Sequence, residues 1–540
     1  MPRSSPSAAR TAIAIALLAC ATLASPSASV AATDATTAAS VPVLDDEQCS
    51  FERKTKSCEP ANFCSFQYKL GDLALDQACR VVRSKVARVP QQIHLAFAGS
   101  SADTGMAMTI SWSTYVKVDD PQVWLGNEED ALDPVLPSKS ATVETVSYYS
   151  DKRYSLYTYH ATVLGLSPAS KYYYKVGCDA CGGDETTTAS AVFQFTTAKP
   201  YSDESEIELL IYGDLGADVN AQQTLKYITT SLKTPVDLVY HIGDISYADN
   251  DFLSLSSFTG FYYEETYNHW MNSLASVMQS IPYMVLVGNH EAECHSPQCF
   301  FSEKKLEALS NYSAFNARFK MPSAESQGVK NMWYSFKHGP VHFTSISSET
   351  DYPGAPHNSF TKENRNGNFG DQLKWLEADL QAADGNRDKI PWLVVGMHRP
   401  MYTLSSCDKD GNPKGSTKPI QNAFEKLFLK YKVDVVVAGH VHAYERHFPI
   451  ANGKKISDGI SEDGKKYESP KAPVYLVTGA AGNSEGHEKV GNKTAIEWVA
   501  ATDTIHYGIS SLKVTRTALS FKLIGTGDGV VHDEFEITKS

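Results

Sequence analysis

After the first 32 residues no apolar run approaches the ~18 residues a helical membrane span needs, so a multi-span helical membrane protein is excluded. Positive charge is in short supply. Lys and Arg number 49 against 62 Asp and Glu, a formal net charge of −13, which excludes a general binder of nucleic acid or anionic membrane. Any anion must be handled at a local site. Cysteine is sparse, ten in 540 residues, and no internal repeat of fixed period points to a solenoid or propeller. What is present is a globular composition, 42% hydrophobic and 21% charged. At ~100 to 200 residues per domain, the length accommodates about three or four domains.

Arg3 and Arg10 precede an acid-free apolar stretch at 12–24, followed by the small residues Ser29, Val30, Ala31 and Ala32. This is the three-part layout of a secretory signal, so we expect residues 1–32 to be removed and the mature chain to be secreted, with no membrane anchor. Losing two Arg and no acid deepens the charge to −15. Residues 33–88 form a flexible, cysteine-containing leader, rich in Ala, Thr and Ser at its start. Oxidising surroundings make the cysteines candidates for disulfides: Cys49, Cys58, Cys64 and Cys79 in one cluster, then Cys178 with Cys181, and Cys294 with Cys299. Zinc competes for the Cys178/Cys181 spacing, but no second nearby pair completes four ligands. Cys407 is left over, a free thiol or the link in a homodimer. Asn311 and Asn492 head glycosylation sequons.

From 89 to 198 the chain reads as short strands separated by turn signals, at 93–97, 106–112, 123–125, 154–164, 172–176 and 193–196. That spacing predicts an all-β sandwich, and 166–176 resembles the turn and tyrosine corner of a fibronectin type III-like domain. Beyond Pro200 the pattern changes to nearly continuous apolar runs alternating with helical stretches at 220–232, 267–279, 371–383 and 420–430, as in an α/β domain over 199–540.

Each apolar run closes on glycine and a polar side chain able to bind metal. The runs at 207–212, 236–242, 281–287, 390–395 and 433–438 lead into Gly213-Asp214, Gly243-Asp244 with Tyr247, Gly288-Asn289-His290, Gly396-Met397-His398 and Gly439-His440-Val441-His442. Ligands gather beyond the carboxyl ends of strands in α/β sheets, and glycine there lets the backbone approach a bound group. Seven candidate ligands then converge: Asp214, Asp244, Tyr247, Asn289, His398, His440 and His442. Seven exceed one tetrahedral zinc but suit two metals about 3.5 to 4 Å apart sharing a carboxylate. Singly, each block is an ordinary turn sequence. Five in order across 229 positions are not.

The ordered blocks Asp214-x-Gly216, Gly243-Asp244-x-x-Tyr247, Gly288-Asn289-His290-Glu291, Val395-x-x-His398 and Gly439-His440-x-His442 resemble those of purple acid phosphatases in the metallophosphoesterase superfamily. The segments at 243–249, 439–446 and 333–336 are similar to the large, plant-type branch, and the likeness spans 89–537. The resemblance implies an α/β catalytic domain, a metallophosphoesterase-like β-sandwich flanked by helices, preceded by the fibronectin type III-like domain. It implies Fe(III) on Asp214, Asp244, Tyr247 and His442, and a second metal (zinc, iron or manganese) on Asp244, Asn289, His398 and His440, with Asp244 as bridge. A secreted acid phosphatase is the implied activity, with metal-bound hydroxide attacking small phosphate monoesters and His290 hydrogen-bonding the phosphate or leaving oxygen. Arg399 is a further phosphate-binding candidate, though a salt-bridged arginine is the commoner case.

One departure matters. Plant-type members carry a histidine pair nine and ten residues after the His398 position, where this chain has Cys407 and Asp408. Asp408, His290 alone or the loop bearing His295 are the candidates to protonate the leaving group. The competing functions are a phosphodiesterase or nucleotide hydrolase on the same fold, and a non-catalytic adhesion or binding protein.

Overall fold

The computed structural model describes residues 88–539 apart from segments at 102–104, 136–140, 151–154, 180, 182–187, 233–235, 251–260, 262, 357–365 and 490–495. The expected signal, residues 33–87 of the leader with Cys49, Cys58, Cys64 and Cys79, and the sequon at Asn492 lie outside the described residues.

Among the described residues eight strands come first: β1 (Gln91–Ser101), β2 (Gly105–Thr114), β3 (Gln122–Glu128), β4 (Ala131–Pro134), β5 (Ala141–Val146), β6 (Tyr157–Leu166), β7 (Lys171–Gly177) and β8 (Phe193–Thr196). They pair as two four-stranded sheets, β1-β2-β6-β5 and β4-β3-β7-β8. Trp112 stacks on Tyr159 at 5.4 Å, both fully buried, so the inward faces of β2 and β6 supply much of the core. The tyrosine corner is present: the Ser167 backbone N–H donates to the Tyr172 hydroxyl at 3.0 Å. Disulfides join Cys178 to Cys181 and Cys294 to Cys299.

Among the described residues the second region holds fifteen strands: β9 (Ile207–Tyr212), β10 (Leu238–Ile242), β11 (Tyr283–Leu286), β12 (Tyr334–His338), β13 (Val341–Ser345), β14 (Trp392–Met397), β15 (Val435–Ala438), β16 (Tyr444–Ala451), β17 (Lys454–Lys455), β18 (Lys466–Glu468), β19 (Val474–Thr478), β20 (Val499–Asp503), β21 (Gly508–Val514), β22 (Ala518–Gly525) and β23 (Val531–Thr538). One sheet runs β11-β10-β9-β21-β22-β23-β18, the other β12-β13-β14-β15-β19-β16-β17 with β20 on β16. Parallel strands form one end of the first sheet, β11-β10-β9, and the middle of the second, β13, β14, β15 and β19. β10, β11, β14 and β15 are buried along their whole length, which is why they read as continuous apolar runs.

The helices arise from apolar spacing. In Gln372–Asp384, Leu376, Leu380 and Ala383 fall on one face and pack into a core with Leu393 and Val395, while the Asp371 carboxylate caps the start by accepting from the Lys374 N–H at 3.0 Å. Ile420, Phe424 and Phe428 give Thr417–Lys430 the same kind of stripe.

A buried polar network joins the two regions. Arg318 pairs with Glu264 at 2.7 Å, both side chains fully buried, and also donates to Tyr148, Gln92 and Asn268. Tyr148 in turn donates to Glu264 at 2.6 Å. Cys407 is 1% exposed and its thiol donates to the Leu404 carbonyl at 3.8 Å. The expected homodimer through Cys407 is therefore not supported, because a thiol packed in this core cannot meet a second chain without opening it.

Candidate metal centre

The carboxyl ends of β9, β10 and β11 in one sheet and of β14 and β15 in the other meet along one edge of the sandwich, and the glycines there admit the approach. A Cβ on Gly243 would lie 2.6 Å from His398 Nδ1, and one on Gly288 would lie 2.3 Å from Asp244 Oδ1. Four of the seven candidate ligands, Asp214, Asp244, Tyr247 and His440, adopt left-handed backbone with φ of 61°, 51°, 53° and 67°. Non-glycine residues adopt this region at a cost, and such residues concentrate at functional sites.

Asp214, Tyr247 and His442 come together on one side. The Tyr247 hydroxyl donates to Asp214 Oδ1 at 3.2 Å and lies 3.3 Å from His442 Nε2, which is 3.5 Å from the same carboxylate oxygen. Burial, then Asp214 and Asp244, push the Tyr247 phenol well above its ordinary range. A phenolate there requires a cation.

Asp244, Asn289, His398 and His440 meet on the other side. His398 Nε2 lies 2.9 Å from Asp244 Oδ2, and donor atoms of Asp244, His398 and His440 all lie within 4.8 Å of one another. The Ile242 carbonyl accepts from His398 Nδ1 at 2.9 Å and the Gly486 carbonyl from His442 Nδ1 at 3.1 Å, which leaves each Nε2 as the coordinating nitrogen. Asn289 Oδ1 is buried without a hydrogen-bond partner, and Asp244 Oδ2 and His398 Nε2 are buried with little but each other to face. An unpaired buried amide oxygen is costly, and beside a buried carboxylate and imidazole it fits a metal ion. Despite its burial, Asp244 raises the His398 imidazole to about 10, a charge that a bound cation would replace. His440, by contrast, is pushed well below the usual range by burial and by Arg399, which suits a neutral ligand.

Glu291, outside the predicted set, braces this edge. Its carboxylate accepts from the backbone N–H groups of Asp244, Ile245 and Gly288 at 2.8 to 2.9 Å, tying the ends of β10 and β11 together. His290 faces the cavity between the metal-ligand candidates. Its Nδ1 lies 2.8 Å from Asp249 Oδ2, its backbone N–H donates to Asp244 Oδ1, and its ring lies 4.1 Å from that of Tyr247. Burial opposes a charge on His290, but Asp249 and Asp244 outweigh it and hold the imidazole well above the usual histidine range.

The cavity is about 260 Å³ and is lined by Asp244, Asn289, His290, Arg399, His440, His442, Glu485 and Glu488 among others. Arg399 both lines it and is salt-bridged, its Nε donating to buried Glu349 at 2.8 Å and its Nη1 to His440 Nε2 at 2.8 Å. Asp408 does not reach the cavity. It sits in an exposed turn, its carboxylate accepting from the Asp410 and Asn412 N–H groups, which removes it as proton donor. His295 lies 3.0 Å from Asp249, so it backs His290 through that carboxylate. Asn311 is half-buried, its side-chain oxygen accepting from the Gly367 N–H at 2.8 Å.

Glu485 is a cavity residue that the sequence motifs do not single out. It lies 3.7 Å from His290 Nε2 and accepts from Asn250 Nδ2 at 3.0 Å. A signal for it exists: β19 is a sixth buried run ending in glycine, Gly479, and Glu485 comes six residues later.

Three family models match in order along the chain: the purple acid phosphatase N-terminal domain over 90–197, the calcineurin-like phosphoesterase over 207–444, and the iron/zinc purple acid phosphatase-like protein C region over 472–534. Among curated relatives, purple acid phosphatase 21 of Arabidopsis thaliana is 31% identical, the match covering 74% of this chain and 72% of that one. Acid phosphatase type 7 of Homo sapiens is 30% identical over 73% and 78%, and an acid phosphatase of Aspergillus ficuum 28% over 71% and 76%. Among solved structures, a purple acid phosphatase from yellow lupin seeds superposes with a TM-score of 0.63 at 23% identity, covering 84% of this chain and 75% of that one, a likeness of fold.

Proposed function

The chain belongs to the purple acid phosphatase family, enzymes with a binuclear metal centre, and on that footing we propose that it is a secreted hydrolase of phosphate monoesters. Asp214, Asp244, Tyr247 and His442 would hold Fe(III), and Asp244, Asn289, His398 and His440 a divalent zinc, iron or manganese. The observation that carries this reading is the buried group of Asp244, His398 and His440 donors within 4.8 Å of one another, with Asn289 Oδ1 left unpartnered, beside the Asp214–Tyr247–His442 group. The domain limits proposed are 1–32 for the signal, 33–88 for the leader, 89–198 for the sandwich and 199–540 for the catalytic domain.

Two bound cations supply the positive field that clamps phosphoryl oxygens and acidifies water near neutral pH. The rest falls to side chains. His290 carries a proton on the imidazole that Asp249 orients from Nδ1, leaving Nε2 to hydrogen-bond the leaving oxygen and pass it that proton. Arg399, fixed by Glu349, presents its remaining N–H groups to a phosphoryl oxygen. Glu291 keeps Asp244 and Asn289 in register by clasping the backbone beside both.

The test is to secrete the mature chain, then measure metal content, visible absorption and phosphate release from p-nitrophenyl phosphate and bis-p-nitrophenyl phosphate across pH. Two metals per chain, a visible charge-transfer band that Tyr247→Phe bleaches, and preference for the monoester are expected. Activity that survives Asp244→Asn would overturn the two-metal reading. Preference for the diester would instead transfer the same centre to phosphodiesterase or nucleotide hydrolysis.

A further inference from the structure

A second group of metal-ligand types lies outside the candidate centre and contributes none of its residues. Asp503 ends β20 and His506 lies in the loop to β21, while Asp528 and His532 come from the β22–β23 hairpin. The two imidazole rings stack at 3.8 Å between centroids, 15° from parallel. Each has a carboxylate at its edge: Asp503 Oδ2 is 2.8 Å from His506 Nδ1, and Asp528 Oδ2 is 3.0 Å from His532 Nε2. One donor atom from each of Asp503, His506 and His532 lies within 4.8 Å of the other two.

The backbone prepares this arrangement. Asp503 Oδ1 accepts from the Ile505 and His506 N–H groups, and Asp528 Oδ1 from the Val530 N–H, so each carboxylate is fixed with Oδ2 turned to an imidazole. On β23 the ladder skips His532, since Ile524 pairs with Val531 and Leu523 with Asp533, and such a bulge re-aims a side chain. Gly525 makes room for it: a Cβ there would lie 2.6 Å from His532 Nε2 and 2.4 Å from Asp528 Oδ1.

We propose that Asp503, His506, Asp528 and His532 form a peripheral site for a divalent transition-metal ion, zinc or copper, separate from the binuclear centre. Two imidazoles with two carboxylates favour such ions over magnesium or calcium, which prefer all-oxygen shells. Zinc bonds of about 2.0 to 2.2 Å place neighbouring donors roughly 3.4 Å apart, so the Asp503, His506 and His532 donors, now within 4.8 Å of one another, must draw in and the two rings turn out of their stack to face one ion. Room to rotate exists, because the His506 and Asp528 side chains are 40% and 42% exposed. A single dication also satisfies both carboxylates, whereas two protonated imidazoles would stack charge on charge. The site borders the loop that braces the catalytic edge: Tyr507 stacks on His487 at 4.2 Å, and His487 is next in the chain to Gly486, whose carbonyl holds His442.

The experiment compares the intact active enzyme with His506→Gln, His532→Gln and Asp528→Asn, each dialysed against zinc chloride near neutral pH and then analysed for metal. Wild type should retain about one zinc ion per chain more than either histidine variant, consistent with a four-donor site, and Asp528→Asn should bind it more weakly. Hydrolysis of p-nitrophenyl phosphate should be the same in all four, which also certifies that the variants fold. Equal zinc in wild type and both histidine variants overturns the proposal, as does equal uptake of magnesium. Because the readout is a difference between proteins, it does not depend on how many ions the seven-residue centre holds.

Discussion

Two pairs of deep-set histidines in this molecule behave in opposite ways. His94 on β1 and His160 on β6, where the sandwich packs on the catalytic domain, are lowered to about 4 and about 3, with burial the largest cause in each. His290 and His398 at the catalytic edge are raised although burial opposes them too, because Asp249 and Asp244 stand beside them. His160 bonds instead to neutral groups, the Ser111 hydroxyl at 2.8 Å and the Ala317 carbonyl at 3.2 Å. Depth does not decide what a buried imidazole does. Its neighbours do, and a carboxylate converts a neutral packing element into a proton carrier.

The sharpest way to break the comparison is His290→Asn, which removes the proton carrier and should lower kcat by about 10² to 10⁴ for an alkyl phosphate. The loss should be smaller for p-nitrophenyl phosphate, whose leaving group needs no proton, and equal losses would refute the role. Next is the interface, where the carboxylate serves structure: Glu264→Gln strips buried Arg318 of its counter-charge and should destabilise by about 3 to 5 kcal/mol in a denaturant titration. Activity per folded molecule should not change. Asp249→Asn should strip His290 of its nearest carboxylate while leaving Asp244 and Glu485, and cost about 10- to 100-fold in kcat/KM, as loss of an orienting partner usually does. The last prediction concerns pH. His94 and His160 have folded values below the ordinary 6.5, so the unfolded chain binds protons that the native one refuses, and stability present above 6.5 is lost as pH falls toward 4. Each contributes about 1.4 kcal/mol per pH unit at most, so His160→Gln should flatten the fall in Tm between those limits. An unchanged slope would mean that His160 is not the acid-sensitive group.

The part legible in the sequence is the part governed by strands buried on both faces. The run at 207–212 is β9 residue for residue, and the other four ligand-bearing runs differ from their strands only at the ends, because an apolar run closed by glycine leaves few alternatives. β4 and β5 have no counterpart among the expected strands: Ala131–Pro134 is mostly exposed and carries no inward apolar stripe. Glu485 escapes because its carboxylate does not come directly after its strand but sits beyond a glycine-rich bend. Asp408 has a candidate role only from its place in sequence, whereas its loop holds it in an exposed turn. The Arg318 network is illegible for a different reason, since its partners lie as far as 226 residues away and nothing local to either announces the other.

The left-handed backbone at Asp214, Asp244, Tyr247 and His440 has a consequence for engineering. Each such residue is held at a cost of about 1 to 3 kcal/mol, so a stability-ranked library would reward glycine at these positions. Those same substitutions delete the donor atoms. Selection for heat resistance alone would therefore drift toward a sturdier, inert protein, and a thermostabilised enzyme has to be sought with these four positions frozen and the gains taken from the sandwich and the outer helices.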